Sequence, residues 1–258
     1  MQRHSLARIA ITVAMAHLGG CAVVGRDHSA TRSARIAVAG ATVLRLDAGA
    51  GSLRVEGHTG ARDVVVTGIA HAPTPRLLGA IQIVTRRVAD TIFVSCTIPS
   101  AQGQPGPPPA LDLRLELPST LALNVVDSAG ESVIRNVAAL RIVHGNGGLD
   151  INTVSGGLDV RDGNGDMVVA NIYGDVHIVD GAGSIYLTDI RGSIDIPQAG
   201  PGEIQAVGVS GDVTIGSKRS GEVAARGVGG NLAVTASGSG SIEFQDVKGK
   251  VTLPGGNH

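Results

Sequence analysis

The sequence predicts an all-β chain, most of it a parallel β-solenoid of about seven rungs of 18–19 residues, preceded by an irregular β region. Three observations carry this. Glycines recur at a near-constant interval, at Gly156, Gly174, Gly192, Gly211, Gly230 and Gly249, with a second set at Gly147, Gly165, Gly183, Gly202, Gly221 and Gly240. Apolar residues fall into columns at the same interval. Within one unit the apolar residues lie two apart, the strand period, which puts them on one face.

The amino terminus comes first. Met1–Arg8 carries two arginines, and Ile9–Leu18 is a short, mostly apolar stretch. That is the plan of a secretory signal, too short to span a bilayer. Leu18-Gly19-Gly20-Cys21 follows and resembles the bacterial lipobox. The resemblance implies cleavage before Cys21 and lipidation of its thiol. Ala22 after the cysteine implies the outer membrane, on its periplasmic or cell-surface face. Residues 1–20 are thus expected as signal peptide and 21–34, polar after Val24, as a lipidated tether. The only other cysteine is Cys96, so no intramolecular disulfide framework is expected. It sits in the apolar run Thr91–Ile98 and reads as a small buried hydrophobe.

Residues 35–118 read as an N-terminal β region. Ile36 and Val38, then Val43, Leu44 and Leu46, then Leu53 and Val55 alternate weakly; Ile81–Val84 and Thr91–Ile98 read as two strands. Pro99–Ala110 holds five prolines and two glycines, a loop by composition. Leu111, Leu113, Leu115 and Leu117 alternate with polar residues, a strand with one buried face.

From residue 119 to 254 the chain repeats itself, leaving 255–258 as a tail. One strand of each unit gives the columns Leu140, Leu158, Val176, Ile194, Val213, Leu232 and Ile142, Val160, Ile178, Ile196, Ile215, Val234. The other gives Leu149, Met167, Ile185, Ile204, Val223, Ile242 and Ile151, Val169, Leu187, Ala206, Ala225, Phe244. A fifth column is Val154, Ile172, Ile190, Val209, Val228 and Val247. Leu121–Ala139 reads as a degenerate first rung. One such unit cannot bury its own apolar face, whereas a stack makes a continuous core. The inner glycines are assigned to corners that need a positive φ, as are Asn171, Asp189 and Asp246.

Leu115-Glu116-Leu117-Pro118, a following strand, and repeated units such as Asp175–Gly192 and Asn231–Gly249 resemble the bacterial β-strand-repeat family of candidate adhesins, a domain of unknown function. The resemblance covers roughly residues 35–253. It implies a right-handed, glycine-rich solenoid behind an irregular β start, and it supplies no catalytic residues.

Chemistry-bearing residues are few. The outward column Arg141, Asp159, His177, Asp195 alternates in charge and reads first as a solvated ladder. A metal reading would use Asp159, His177 and Asp195 as ligands. A glycosidase reading would use Asp159 and Asp195 as paired carboxylates about 9.6 Å apart. Asp162-Gly163-Asn164-Gly165-Asp166 has the spacing that opens a calcium loop, but Met167 and Tyr173 stand where that loop needs glycine and glutamate. Gly145–Gly148 and Gly238–Gly240 are repeat corners, with no helix behind them to make a phosphate or nucleophile site.

Net charge is −1, with no basic footprint for nucleic acid. The expected function is therefore a cell-envelope lipoprotein, held to the membrane by its lipid anchor. Its solenoid binds a protein or glycan without catalysis or cofactor. A polysaccharide-acting enzyme and an envelope sensor or assembly factor are the alternatives.

Overall fold

The computed structural model describes residues 28–101 and 106–257. The expected signal segment and Cys21 lie outside them. The first part of the chain forms β1 (His28–Ala37), β2 (Val43–Ala50), β3 (Leu53–His58), β4 (Asp63–Ala72), helix α1 (Pro75–Ala80), β5 (Gln82–Val88), β6 (Thr91–Thr97) and β7 (Ala110–Pro118). Seven two-strand rungs follow. They are β8 (Ala122–Ala129) with β9 (Ser132–Val137), β10 (Ala139–Asn146) with β11 (Leu149–Val154), β12 (Leu158–Asn164) with β13 (Met167–Ile172), and β14 (Val176–Ala182) with β15 (Ile185–Ile190). The last three are β16 (Ile194–Pro201) with β17 (Ile204–Val209), β18 (Val213–Ser220) with β19 (Val223–Val228), and β20 (Leu232–Ser239) with β21 (Ile242–Val247). A short antiparallel pair, β22 (Val251–Leu253) and β23 (Gly256–Asn257), ends the chain.

The strands make two facing sheets. One runs β1-β4-β7-β3-β9-β11-β13-β15-β17-β19-β21, the other β23-β22-β20-β18-β16-β14-β12-β10-β8-β2-β6-β5. Each rung contributes one strand to each sheet, and successive rungs pair in parallel. The predicted columns are the register itself: Leu149 faces Met167, Met167 faces Ile185, and Ile185 faces Ile204. Their side chains point between the sheets, with Ile142, Val160, Ile178, Ile196 and Ile215 fully buried. A single aliphatic core runs from Ile36 to Val234. Phe244, assigned to an inward column, is 43% exposed, because β21 is the last strand of its sheet and no rung covers it.

The irregular start joins the same two sheets. β2 lies between β8 and β6, and β3 between β9 and β7, so together they make a further rung beneath the first repeat. The chain then leaves through β4, α1, β5, β6 and β7 before returning to the stack. The polar stretch expected as tether through residue 34 is strand from His28 onward, paired antiparallel with β4 from His28 opposite Ala72 to Ala37 opposite Asp63. Helix α1 was not expected. Thr74 accepts a hydrogen bond from the Leu77 N–H as its N-cap, and Pro75 opens its first turn. Arg32 of β1 donates to the carbonyls of Leu78 and Ile81 at its far end.

The two glycine columns have different causes. Gly183 has φ of 140°, and a Cβ there would also collide with the Gly165 carbonyl oxygen one rung below. Gly192 needs no unusual φ; its Cβ would lie 2.5 Å from the carbonyl carbon of Gly174. At both corners backbone stacks directly on backbone, and any side chain would pry the rungs apart. Register shifts once within the repeats, between β14 and β16, where Val179 pairs with Gln198 rather than Pro197. Pro197 is the extra residue of its rung, a β-bulge against β14, and the later rungs keep an added residue in register with it.

Candidate functional site

The outward ladder is assembled as two separate side-chain pairs. Asp159 pairs in register with His177, and His177 with Asp195. The side chains divide otherwise: Arg141 Nε donates to Asp159 Oδ2 at 2.9 Å, and His177 Nδ1 lies 3.0 Å from Asp195 Oδ2. Among the described residues no group of three His, Cys, Asp or Glu side chains is placed to hold a metal. Asp159 lies in a shallow depression of about 330 Å³ with Arg141 and Asp175, which Asp195 does not line. The calcium-loop reading also comes apart. Asp162 turns inward and is buried, while exposed Asp166 accepts a hydrogen bond from the Ser184 N–H at 2.9 Å.

The main concentration of buried chemistry lies in a column the sequence reading passed over. Two residues beyond the aliphatic pair of each β8-to-β20 strand, the inward position changes character. Asp127, His144, Asp162 and Asp180 stand in register there on four consecutive rungs, followed by Ala199, Lys218 and Ser237. Asp127, His144, Asp180 and Lys218 are each no more than 4% exposed. This polar strip lies beside the corner, where the sheets close on each other and backbone groups are within reach.

The contacts run along the stack. Ser132 Oγ donates to Asp127 Oδ2 at 2.5 Å. His144 Nε2 lies 3.1 Å from the Gly130 carbonyl and 3.6 Å from Asp127 Oδ2, and Nδ1 lies 2.7 Å from Asp162 Oδ1. A carbonyl can only accept, so Nε2 carries a proton. Where Asp162 Oδ1 accepts, Nδ1 carries one as well. His144 is thus set between two carboxyl groups that favour its charged form. Burial opposes that charge, but the hydrogen bonds to Asp162 and Gly130 and the charges of Asp162 and Asp127 outweigh it and hold the His144 pKa above its ordinary value. Burial raises the Asp127 carboxyl, against the hydrogen bond from Ser132 and the charge of His144. At the far end Lys218 Nζ donates to the carbonyls of Gly202 and Ser220. Its pKa is lowered by burial, against the pull of Asp180 and Glu203.

No family model and no curated protein matches this chain. Solved structures do. A candidate adhesin from Parabacteroides merdae aligns over 86% of this chain and 93% of its own, at 15% identity and a TM-score of 0.43. A candidate cell adhesion protein from Clostridium sporogenes covers 84% and 99%, at 11% identity and a TM-score of 0.34. A candidate lipid-binding protein from Parabacteroides distasonis covers 86% and 96%, at 11% identity and a TM-score of 0.28.

A second place has a different character. Next to last in the second strand of three successive rungs, Asn171 and Asp189 hold φ of 58° and 57°, and Gly208 continues their column without a side chain. The missing side chain opens a depression of about 290 Å³ lined by Asn171, Tyr173, Asp189, Arg191, Gly208 and Ser210. The Arg191 guanidinium lies over the Tyr173 ring, 4.3 Å from its centroid, and both residues are exposed. Among the described residues no helix is long and apolar enough to cross a membrane.

Proposed function

We propose that this protein is a cell-envelope lipoprotein whose solenoid is a rigid binding scaffold, without catalysis, and that it takes a carboxylate-bearing glycan or protein ligand at the Tyr173–Arg191 corner. The observation that carries the binding site is the stacked guanidinium. A ring beneath Arg191 restrains it without using its hydrogen-bonding edge, so little freedom is lost when it meets a carboxylate. Asn171, Asp189 and Ser210 around it suit hydroxyl or amide groups of the same ligand. The lipobox-like sequence at Cys21 supports the anchor. The stack supports the scaffold: β1, the first described strand, is the edge strand at one end of its sheet, and the repeats rise rung by rung away from it.

The test is retention. Incorporation of labelled fatty acid, lost in Cys21→Ser, establishes the anchor. Saturable binding of the protein to envelope fractions, reduced at least tenfold in Arg191→Ala and only partly restored by Arg191→Lys, locates the site. Undiminished binding by Arg191→Ala removes this corner as the ligand site.

A further inference from the structure

Asp162 and Asp180 are the one place in the buried strip where acid meets acid. They face each other in register on β12 and β14. Asp162 spends Oδ1 on His144, and its Oδ2 is buried without a hydrogen-bond partner; both oxygens of Asp180 are buried without a well-formed hydrogen bond, the Gly200 amide lying near without completing one. The rung above explains why. After the register shift at Pro197 the position beside Asp180 is Ala199, a methyl group where another polar side chain would have to stand. Two ionised carboxylates in this buried corner would repel each other. Buried carboxyl oxygens without protein partners are met by water, a proton or a cation, and only the last two also relieve the repulsion between two like charges.

The flanking charges decide between the two. The groups facing the pair are His144 and, beyond it, Asp127 on one side, and Lys218, with Glu203 beside it, on the other. A charged His144 and a charged Lys218 already bracket the acids, so a further metal cation would enter an interior where positive charge is supplied. One proton shared by Asp162 and Asp180 leaves the strip from Asp127 to Lys218 electrically balanced.

We propose that Asp162 and Asp180 hold one proton between them inside the solenoid, and that its loss loosens the stack at the β14–β16 register shift, making the rung junction a pH-sensitive latch. The junction is the natural place to yield: its ladder is already interrupted, and Asp180 sits on one of its two strands. Burial and the charge of Asp162 push the Asp180 carboxyl up to about 6 from an ordinary 3.8, with the amide of Gly200 and the charge of Lys218 acting against. A carboxyl raised on folding contributes its full stability below about pH 4, where both folded and unfolded forms are protonated. That contribution is lost as pH rises through about 6. His144, also raised, moves stability in the same direction at higher pH, so the latch is read from a variant and not from the total.

The experiment compares the full chain with Asp180→Asn, which carries a permanent donor where the proton would be. The melting midpoint of the unmodified protein, measured against that of Asp180→Asn, falls by roughly 5–10 °C between pH 4 and 7. Amide exchange at β14 and β16 accelerates over the same range in the unmodified protein only. A carboxylic-acid carbonyl band in the infrared spectrum of the folded, unmodified protein at pH 5, absent in Asp180→Asn, reports the proton directly. This last reading holds even if the variant folds poorly, because the band must be present in the parent. Parallel pH profiles for the two proteins, or no such band at pH 5, overturn the proposal. So does a rise in midpoint with millimolar calcium or magnesium at pH 7.5 that Asp180→Asn abolishes, since the pair would then be a cation site.

Discussion

His144 Nδ1 lies 2.7 Å from Asp162 Oδ1, and neither side chain is more than 1% exposed. A buried pair of this kind, one rung apart inside an aliphatic stack, is held further only on the His144 side, where Nε2 meets the Gly130 carbonyl. Removing one member leaves the other charged, buried and alone, which costs more than the pair itself contributes. His144→Ala is therefore expected to destabilise the protein by about 3–5 kcal/mol, a fall in melting midpoint on the order of 10 °C. Replacing both residues, as His144→Leu with Asp162→Leu, should recover much of that loss. A double variant as unstable as the single one, measured by thermal unfolding at pH 7, would show that the pair is not the source.

The glycine corners make a sharper structural test. Gly183→Val combines a strained φ with a clash against the Gly165 carbonyl, whereas Gly192→Val keeps an ordinary φ and meets the Gly174 carbonyl and the Asp175 carboxylate. Both should lower the melting midpoint clearly below that of Thr214→Val, an outward-facing control on β18. Gly183→Val should be the worse of the two by about 1 kcal/mol, the scale of a left-handed backbone penalty. Equal midpoints for Gly183→Val and Thr214→Val would mean that the corner tolerates a side chain and that the backbone stacking is not needed.

The aliphatic columns are legible in the sequence because they obey two periods at once, two residues within a strand and 18–19 between rungs. The rung made by β2 and β3 is not, although Leu44, Leu46, Leu53 and Val55 fill the same inward positions. The excursion through β4 to β7 separates it from the next rung, and no fixed interval survives that distance. The polar strip is hidden for another reason. Asp162-Gly163 and Asp180-Gly181 have the composition of turns, and the alternation that places Leu158 and Val160 inward also places Asp162 inward. Following the alternation one step further along each strand would have found it. Only the register shift at Pro197, which brings Ala199 and then Lys218 into line with Asp180, needed the structure.

Cys96, expected to be buried, is only partly so, and it shows what partial burial does to a thiol on a strand that the sequence identified. Desolvation, with a smaller contribution from the charge of Asp47, pushes its pKa up to about 12 from 9.0. The thiolate is the reactive form, so at pH 8 the folded protein should alkylate about a thousandfold more slowly than the unfolded chain. Labelling with iodoacetamide in a Cys21→Ser background, with and without urea, measures this. Rapid labelling of the folded protein would place Cys96 in a mobile segment rather than in a packed sheet.

Arg32 reaches from β1 to the carbonyls of Ile81 and Leu78 at 2.9 and 2.8 Å, closing the end of α1, and the strand around it pairs along its whole length with β4. Arg32→Ala leaves the Ile81 carbonyl without that donor in a partly buried place, the Leu78 carbonyl keeping the Ile81 N–H, at a cost of about 1–3 kcal/mol, or a fall of roughly 3–8 °C in melting midpoint. Deleting residues 28–37 should cost more, because it uncovers the apolar inward face of β4, including fully buried Val64 and Val66. If instead both variants melt like the parent, and the β1 amides exchange as fast as an unfolded chain, then the ordered body begins after residue 37 and the stretch before it is tether after all.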